Sequence, residues 1–281
     1  MTLDRARSSS LATVALAALA ALASPLSAQS PEDPRLAFST FGGYVGGGGA
    51  WQLNRQLAAV VSGEMDTLTL GRAFKPGVAL GLGISLFRSP HLGLGLELAF
   101  FGTTTESRCR PIGAYAYDSQ QVNQQACEDA QGKTIRTNAV AIQPGLTWRL
   151  ITRGPAQAFV RASAGAAILG GSFVDTRGTV YLSGVGDTLG PFRARIFLDE
   201  EGGREVTWVA TLAAGATLEM APGYQLRFEL RDLILNVPVV TGPADYLAIY
   251  PYPEVGRKTF HLPTLTVGFD IVLERERRRR Y

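Results

Sequence analysis

Few side chains in this chain of 281 residues are able to do chemistry: two Cys, two His and isolated charges set among long apolar runs. Cys109 and Cys127, its only cysteines, share one stretch between Thr104 and Thr134. In an oxidising compartment such a pair closes a disulfide, which on the chain-entropy account stabilises the loop by about 3 kcal/mol. A reactive or metal-binding thiol pair is the competing chemistry. His91 and His261 fall at opposite ends of the expected fold. A nucleophilic triad or a His-based metal site needs convergence, so no catalytic residue, metal or cofactor is expected. The one hydrolytic arrangement to weigh is His261 with Asp232 or Asp245 at an outer rim. The run FGGYVGGGG at Phe41–Gly49 lacks the Lys-Ser/Thr ending of a phosphate loop and reads as closely packed backbone.

The remaining charges sit at alternate positions of apolar runs: Glu64, Asp66, Glu97, Arg161, Arg227, Glu229, Arg231 and Asp270, with Arg149 near a rim. Mixed signs on one enclosed face point to an ion-paired plug, because unpaired buried charge is costly. A selectivity lining for a narrow channel is the alternative. Tyr246, Tyr250 and Tyr252 in DYLAIYPYPEVG, and Tyr115 and Tyr117 near the cysteines, suit loop contacts with a partner or with one another.

Strands must position these residues. Val78 to Leu86 alternates with Gly and Ala, as does Leu92 to Phe100; Val140 to Leu150, Val206 to Leu218, Tyr224 to Leu230 and Leu265 to Leu273 keep the same period of two. Gln56–Thr69 and Ala156–Gly170 read as further strands, the Gly-rich Leu36–Trp51 has no clear phase, and helical periodicity is absent after the leader. The face opposite the Leu/Val rows carries Gly, Ala, Ser, Thr and sparse charge rather than the Lys, Glu and Asn of a soluble sandwich. A lipid-facing exterior around a cramped lumen explains both faces. Short connections are expected at Asn54–Arg55, Arg88–Pro90, Thr152–Pro155 and Ala221–Gly223. Long ones fall at Thr104–Thr134, Phe173–Arg204 and Asn236–Lys258, with a smaller one at Gly71–Pro76. PFRARIFLDEEGGREVTW reads as a hairpin above the membrane turning at Gly202–Gly203. Trp51, Trp148 and Trp208 suit interfacial girdles.

Composition closes off other classes. With 46% hydrophobic and 18% charged residues the chain is not disordered, and no apolar run reaches the roughly 20 residues of a membrane helix. Asp4, Arg5 and Arg7 precede LATVALAALAALA and a small-residue site ending at Ala28, so residues 1–28 read as a cleaved secretory leader. After it come 25 basic and 23 acidic residues; five Arg against two Glu in ERERRRRY, residues 274–281, leave 29–273 at a net −1. The basic balance belongs to the tail, which excludes a nucleic-acid-binding face.

The pair YQLRFELRDLI and LPTLTVGFDIVL and the opening FGGYVGGGG resemble bacterial outer-membrane β-barrel proteins, the small barrels similar to the membrane domain of outer-membrane protein A. Members of that group usually end in an aromatic that closes the last strand, whereas here Leu273 is followed by ERERRRRY; the resemblance leaves either Tyr281 in that place or an internal signal around Phe269. The expected fold is all-β, a membrane-spanning antiparallel up-and-down β-barrel of 8 or 10 strands over residues 29–273, in contact with outer-membrane lipid. The expected function is a non-enzymatic structural or surface-binding role through extracellular loops. The alternatives are a narrow porin-like channel, a membrane-embedded hydrolase using His261, and a secreted soluble β-sandwich with the Leu and Val rows as its core.

Overall fold

The structure is a computed structural model of the chain. It describes residues 35–59, 65–112, 122–152, 154–180, 193–199, 204–245 and 251–273. The leader, the ERERRRRY tail, Glu64, Tyr115, Tyr117, Tyr246, Tyr250 and the Gly202–Gly203 turn lie outside the described residues. The elements are β1 (Arg35–Val45), β2 (Gly48–Ala59), β3 (Met65–Phe87), β4 (Leu92–Pro111), α1 (Val122–Ala130), β5 (Thr134–Arg149) and β6 (Ala156–Gly170). β7 (Thr176–Val180), β8 (Arg193–Leu198), β9 (Glu205–Ala221), β10 (Tyr224–Val240) and β11 (Val255–Leu273) follow.

Eight strands close a ring in the order β1, β3, β4, β5, β6, β9, β10, β11, each antiparallel to both neighbours. Among the described residues the ring therefore has eight strands. Residues 88–91, 150–155 and 222–223 connect strands at the lower end of the ring, and the longer connections lie at the upper end. The Leu/Val rows face outward: Leu82 is 60% exposed, and Leu98, Leu212, Leu230 and Leu265 are exposed like it. Trp148 and Trp208 stand on this exterior, and Tyr224 stacks on Phe269 at 5.9 Å. Closure satisfies the backbone within the ring, as lipid requires. Pro144 lacks a donor, and the β5–β6 ladder omits the rungs at Gln143 and Pro144 without changing register.

The first quarter of the chain differs from expectation. β1 and β2 run along the full length of β3: Val45 is opposite Gly77 and Gly48 is opposite Phe74. Asn54–Arg55 is not a turn; β2 passes through it with a register irregularity between Leu53 and Gln56. Gly71–Pro76 is not a loop but the middle of β3, where a bulge between Lys75 and Val78 absorbs the missing donor of Pro76. The polar pattern there is that of a hairpin standing above the lipid-facing belt. The phase missing from Leu36–Trp51 is present in space, with Ala37, Phe41 and Val45 buried and Phe38 and Tyr44 outward. Glycine decides one such placement: a Cβ on Gly81 would sit 2.2 Å from the Phe41 ring, so the bare backbone is what admits Phe41 to the lumen.

Above the Val45–Thr264 pair the chain leaves β11 as β1 ends, and a last bond runs from the Gly46 N–H to the Pro263 carbonyl (2.7 Å). The freed part of β11 pairs with β10 alone, and Arg257, Lys258 and Pro263 guard it as charges and proline do on open edges. β2 instead leans over the mouth: the Trp51 indole N–H donates to the Phe173 carbonyl (2.8 Å), and Gln56 exchanges two bonds with the backbone of Ala244 (2.9 and 3.1 Å). Trp51 is thus buried in the cap and is not part of a girdle.

Candidate functional site in the lumen and cap

The period of two places Gln225, Arg227, Glu229 and Arg231 on the inward face of β10. Glu97 on β4 stands four strands away around an eight-strand ring, across the lumen, and Arg161 on β6 stands midway. These side chains form a closed square. Arg161 reaches Glu97 (2.8 Å) and Glu229 (2.7 Å); Arg231 reaches the same two carboxylates (2.7 and 2.5 Å). Arg227 pairs with Asp270 at 3.1 Å and lies 3.7 Å from Glu229, while the Arg231 guanidinium stacks over Phe41 at 3.9 Å. One layer further, Gln143 accepts from Ser163 (3.0 Å) and Thr211 (2.9 Å). Six of the sequence-derived lumen charges, Glu97, Arg161, Arg227, Glu229, Arg231 and Asp270, are brought together here. Arg149 stands at the lower rim, 3.7 Å over the Phe87 ring. Asp66 is buried in the upper hairpin, where it accepts from the Asn123 amide (3.0 Å).

Upward, the interior turns apolar. Val45, Phe101, Leu169, Val209, Leu233 and Leu262 are buried above the charges, and Phe74 packs against Phe260 (5.2 Å) and Phe173 (6.1 Å). The stretch holding the cysteines is not an open loop. β4 carries Cys109, and α1 carries Cys127, which forms the disulfide with it. In α1 the buried face is Asn123, Ala126, Cys127 and Ala130, a spacing of three and four residues, and Gly132 at φ 80° ends the helix. The expectation of no helix after the leader fails on these nine residues, a stretch too short to set a period against its strand neighbours.

α1 rests on the two-stranded sheet β7–β8, so the RARIFL strand pairs with TRGTV (Thr176–Val180), not with its own downstream sequence. A Cβ on Gly178 would lie 1.9 Å from the Ala126 carbonyl, so glycine sets this close approach. Asp129 accepts from the Thr179 N–H (2.6 Å) and pairs with Lys133. Burial pushes the Asp129 carboxyl up, but these partners outweigh it and hold it below the usual carboxylate range. Arg177 bridges Asp175 (3.2 Å) and Asp199 (2.5 Å) on the same sheet.

The histidines remain apart. His91 meets the Arg149 carbonyl at the lower end (3.0 Å), and His261 pairs with Asp232 at 2.7 Å. That pair lies on the outer wall, with the His261 side chain 64% exposed, rather than in the lumen. Tyr252, beyond β10, is exposed. Phe41, Gln56 and Gln143 carry interior contacts that the sequence did not single out; for Phe41 and Gln56, alternation through Gly42, Gly43 and Gly46–Gly49 was too weak to phase the first two strands.

A closed antiparallel ring with an apolar exterior, short turns at one end and an elaborated opposite end defines an outer-membrane β-barrel. The chain is similar to the outer-membrane protein OprG from Pseudomonas aeruginosa (8% identity, TM-score 0.49, covering 87% of this chain and 98% of that one). It is also similar to the N-terminal barrel of OprF from Pseudomonas aeruginosa (9%, 0.36, 85% and 97%) and to Neisserial surface protein A (8%, 0.37, 87% and 100%). At such identities the likeness concerns architecture alone. No family model and no curated protein matches the sequence.

Proposed function

We propose that this protein is a non-conducting, non-enzymatic barrel of the bacterial outer membrane whose ordered upper cap is its working surface. The observation that carries this reading is that the tube is filled twice, by the Arg161–Glu97–Arg231–Glu229 square in the membrane-spanning part and by the apolar cap above. An ion-paired square across an eight-strand lumen leaves no aqueous path of the kind a selective pore needs. A cap tied by a disulfide, a helix and a small sheet offers a fixed outline to a partner, and binding to a preorganised surface costs little ordering entropy. The His261–Asp232 pair faces the outer wall rather than the lumen, with the His261 side chain well exposed.

The full chain, reconstituted in planar bilayers, is expected to give no conductance steps. Defined single-channel steps would replace this reading with that of a narrow channel. Lipid- or peptide-cleaving activity lost on His261→Ala would replace it with the hydrolase.

A further inference from the structure

The outer wall above the lipid-facing belt is charged unevenly. On β4 the inward residues Thr105, Ser107 and Cys109 are buried, so Glu106, Arg108 and Arg110 point out. Lys75 and Arg136 flank Thr104 on the same face, and Arg55 lies in the β2 irregularity opposite Thr69, the partner of Arg110. Among the described residues, five exposed cations thus share the outward face of β2–β5 with a single carboxylate, Glu106, which pairs with Lys75 (2.8 Å). Arg55, Arg108, Arg110 and Arg136 form no ion pair among these residues. On the opposite wall, β9–β11, charges are matched: Arg257 pairs with Glu205 and His261 with Asp232. Water covers the cost of exposing the arginines, but their single sign on a single side makes a field that draws counter-charge to this wall.

The lipid-facing row of β4 ends at Phe100. Thr104 lies four positions beyond it and Arg110 ten, which at about 3.3 Å per residue and a tilt of about 40° places them about 10 and about 25 Å above the hydrocarbon. A phospholipid headgroup layer is only about 5–7 Å deep, so the upper arginines stand beyond its phosphates. We propose that the β2–β5 wall binds the phosphorylated saccharide head of an outer-leaflet glycolipid, whose acyl chains lie on the exposed Val78, Phe100 and Val140 below. Lys75 and Arg136, two strands or about 10 Å apart at the backbone, have the reach to close on one phosphate. Arg108 and Arg110 meet a second phosphate higher on the same head, through the paired hydrogen bonds that guanidinium groups donate to phosphate oxygens. An acidic soluble protein matches the charge but not the position, because the patch begins at the rim of the belt, among the lipid heads. The inference concerns the outer wall and stands whether or not the lumen conducts or the cap binds a partner.

Lipopolysaccharide truncated to its phosphorylated inner core is the probe, added to the full chain in uncharged detergent and followed by native mass spectrometry. It is expected to bind saturably. Arg108→Gln, Arg110→Gln and Arg136→Gln should each weaken binding about fivefold, the factor that about 1 kcal/mol per cation represents. The triple variant should lose about a hundredfold, by the same arithmetic. Lysine at the same three positions keeps most of the affinity, and Arg257→Gln, on the opposite wall, keeps all of it. Unfolding temperatures without lipid should match the parent, which separates lost binding from lost fold. Undiminished binding by the triple variant overturns the proposal, as does equal binding of the same lipid after its phosphates are removed. Equal affinity for phosphatidylglycerol would reduce the patch to attraction for any anionic lipid surface, and tighter binding of dextran sulfate would assign it to a soluble polyanion. Either result overturns the glycolipid assignment.

Discussion

Along β10 the inward face changes character in one step. Gln225, Arg227, Glu229 and Arg231 are buried and polar; Leu233, Leu235, Val237 and Val239 are buried and apolar. The outward face loses its exposed apolar row at the same place, going from Tyr224, Phe228 and Leu230 to the half-buried Asp232, Ile234 and Asn236. One strand thus follows two solvents with a single period of two. Where lipid covers the outside, polarity is turned inward and must be neutralised by partners across the lumen. Where water covers the outside, the same alternation builds an ordinary apolar core. The reversal between Leu230 and Leu233 marks the upper edge of the lipid-facing belt, and the His261–Asp232 pair sits at that edge.

The sharpest way to break this contrast is to remove a charge below and a covalent tie above. Glu229→Gln strips the square of the carboxylate shared by Arg161 and Arg231 and leaves buried cations unpaired, a loss of about 3–5 kcal/mol. Denaturant unfolding in detergent should show the whole ring destabilised together. A variant as stable as the parent would mean that water already screens the square. Reducing Cys109–Cys127 should cost about 3 kcal/mol, confined to the cap. Amide exchange should then accelerate in α1 and β7 while the strands around Glu97 and Arg161 keep their protection. A matching loss of protection in the lumen would show that the two fillings form one cooperative unit.

The same contrast explains what could be read from the sequence. Leu92–Phe100 and Leu265–Leu273 declare themselves because a lipid-facing row is long, apolar and opposed by small residues. Glu97 and Glu229 stand out as lumen charges for the same reason. Between Gly46 and Gly77 the chain climbs out of the belt and returns. Polarity inverts there, Gln56 and Arg72 become interior residues, and a rule tuned to lipid misplaces both the turn and the loop. The cross-lumen geometry of the square was invisible for a different cause: the partners are separated by up to 134 positions, and only closure of the ring brings Glu97 to Arg231. α1 was hidden by its length and by sharing Ala and Cys with the strands around it.

The smallest expected effect tests whether the cap is held electrostatically as well as by packing. Asp129 joins α1 to β7 through the Thr179 N–H and to Lys133, and its folded carboxyl titrates below the range it has in an unfolded chain. A carboxylate depressed on folding contributes its stability in full above the unfolded value, near pH 4, and loses it as pH falls through the folded value. Because Asp129 is about one-third exposed, solvent screens much of this contribution, so it should appear as local loosening rather than unfolding. Protection factors of α1 amides, measured at pH 6 and at pH 3, should fall with acid in the parent. They should change little in Asp129→Asn, whose side-chain oxygen still accepts from Thr179 but does not titrate. A parallel fall in both proteins would assign the docking of α1 to Ala126, Cys127 and Ala130 against the cap, with no measurable part for the charge.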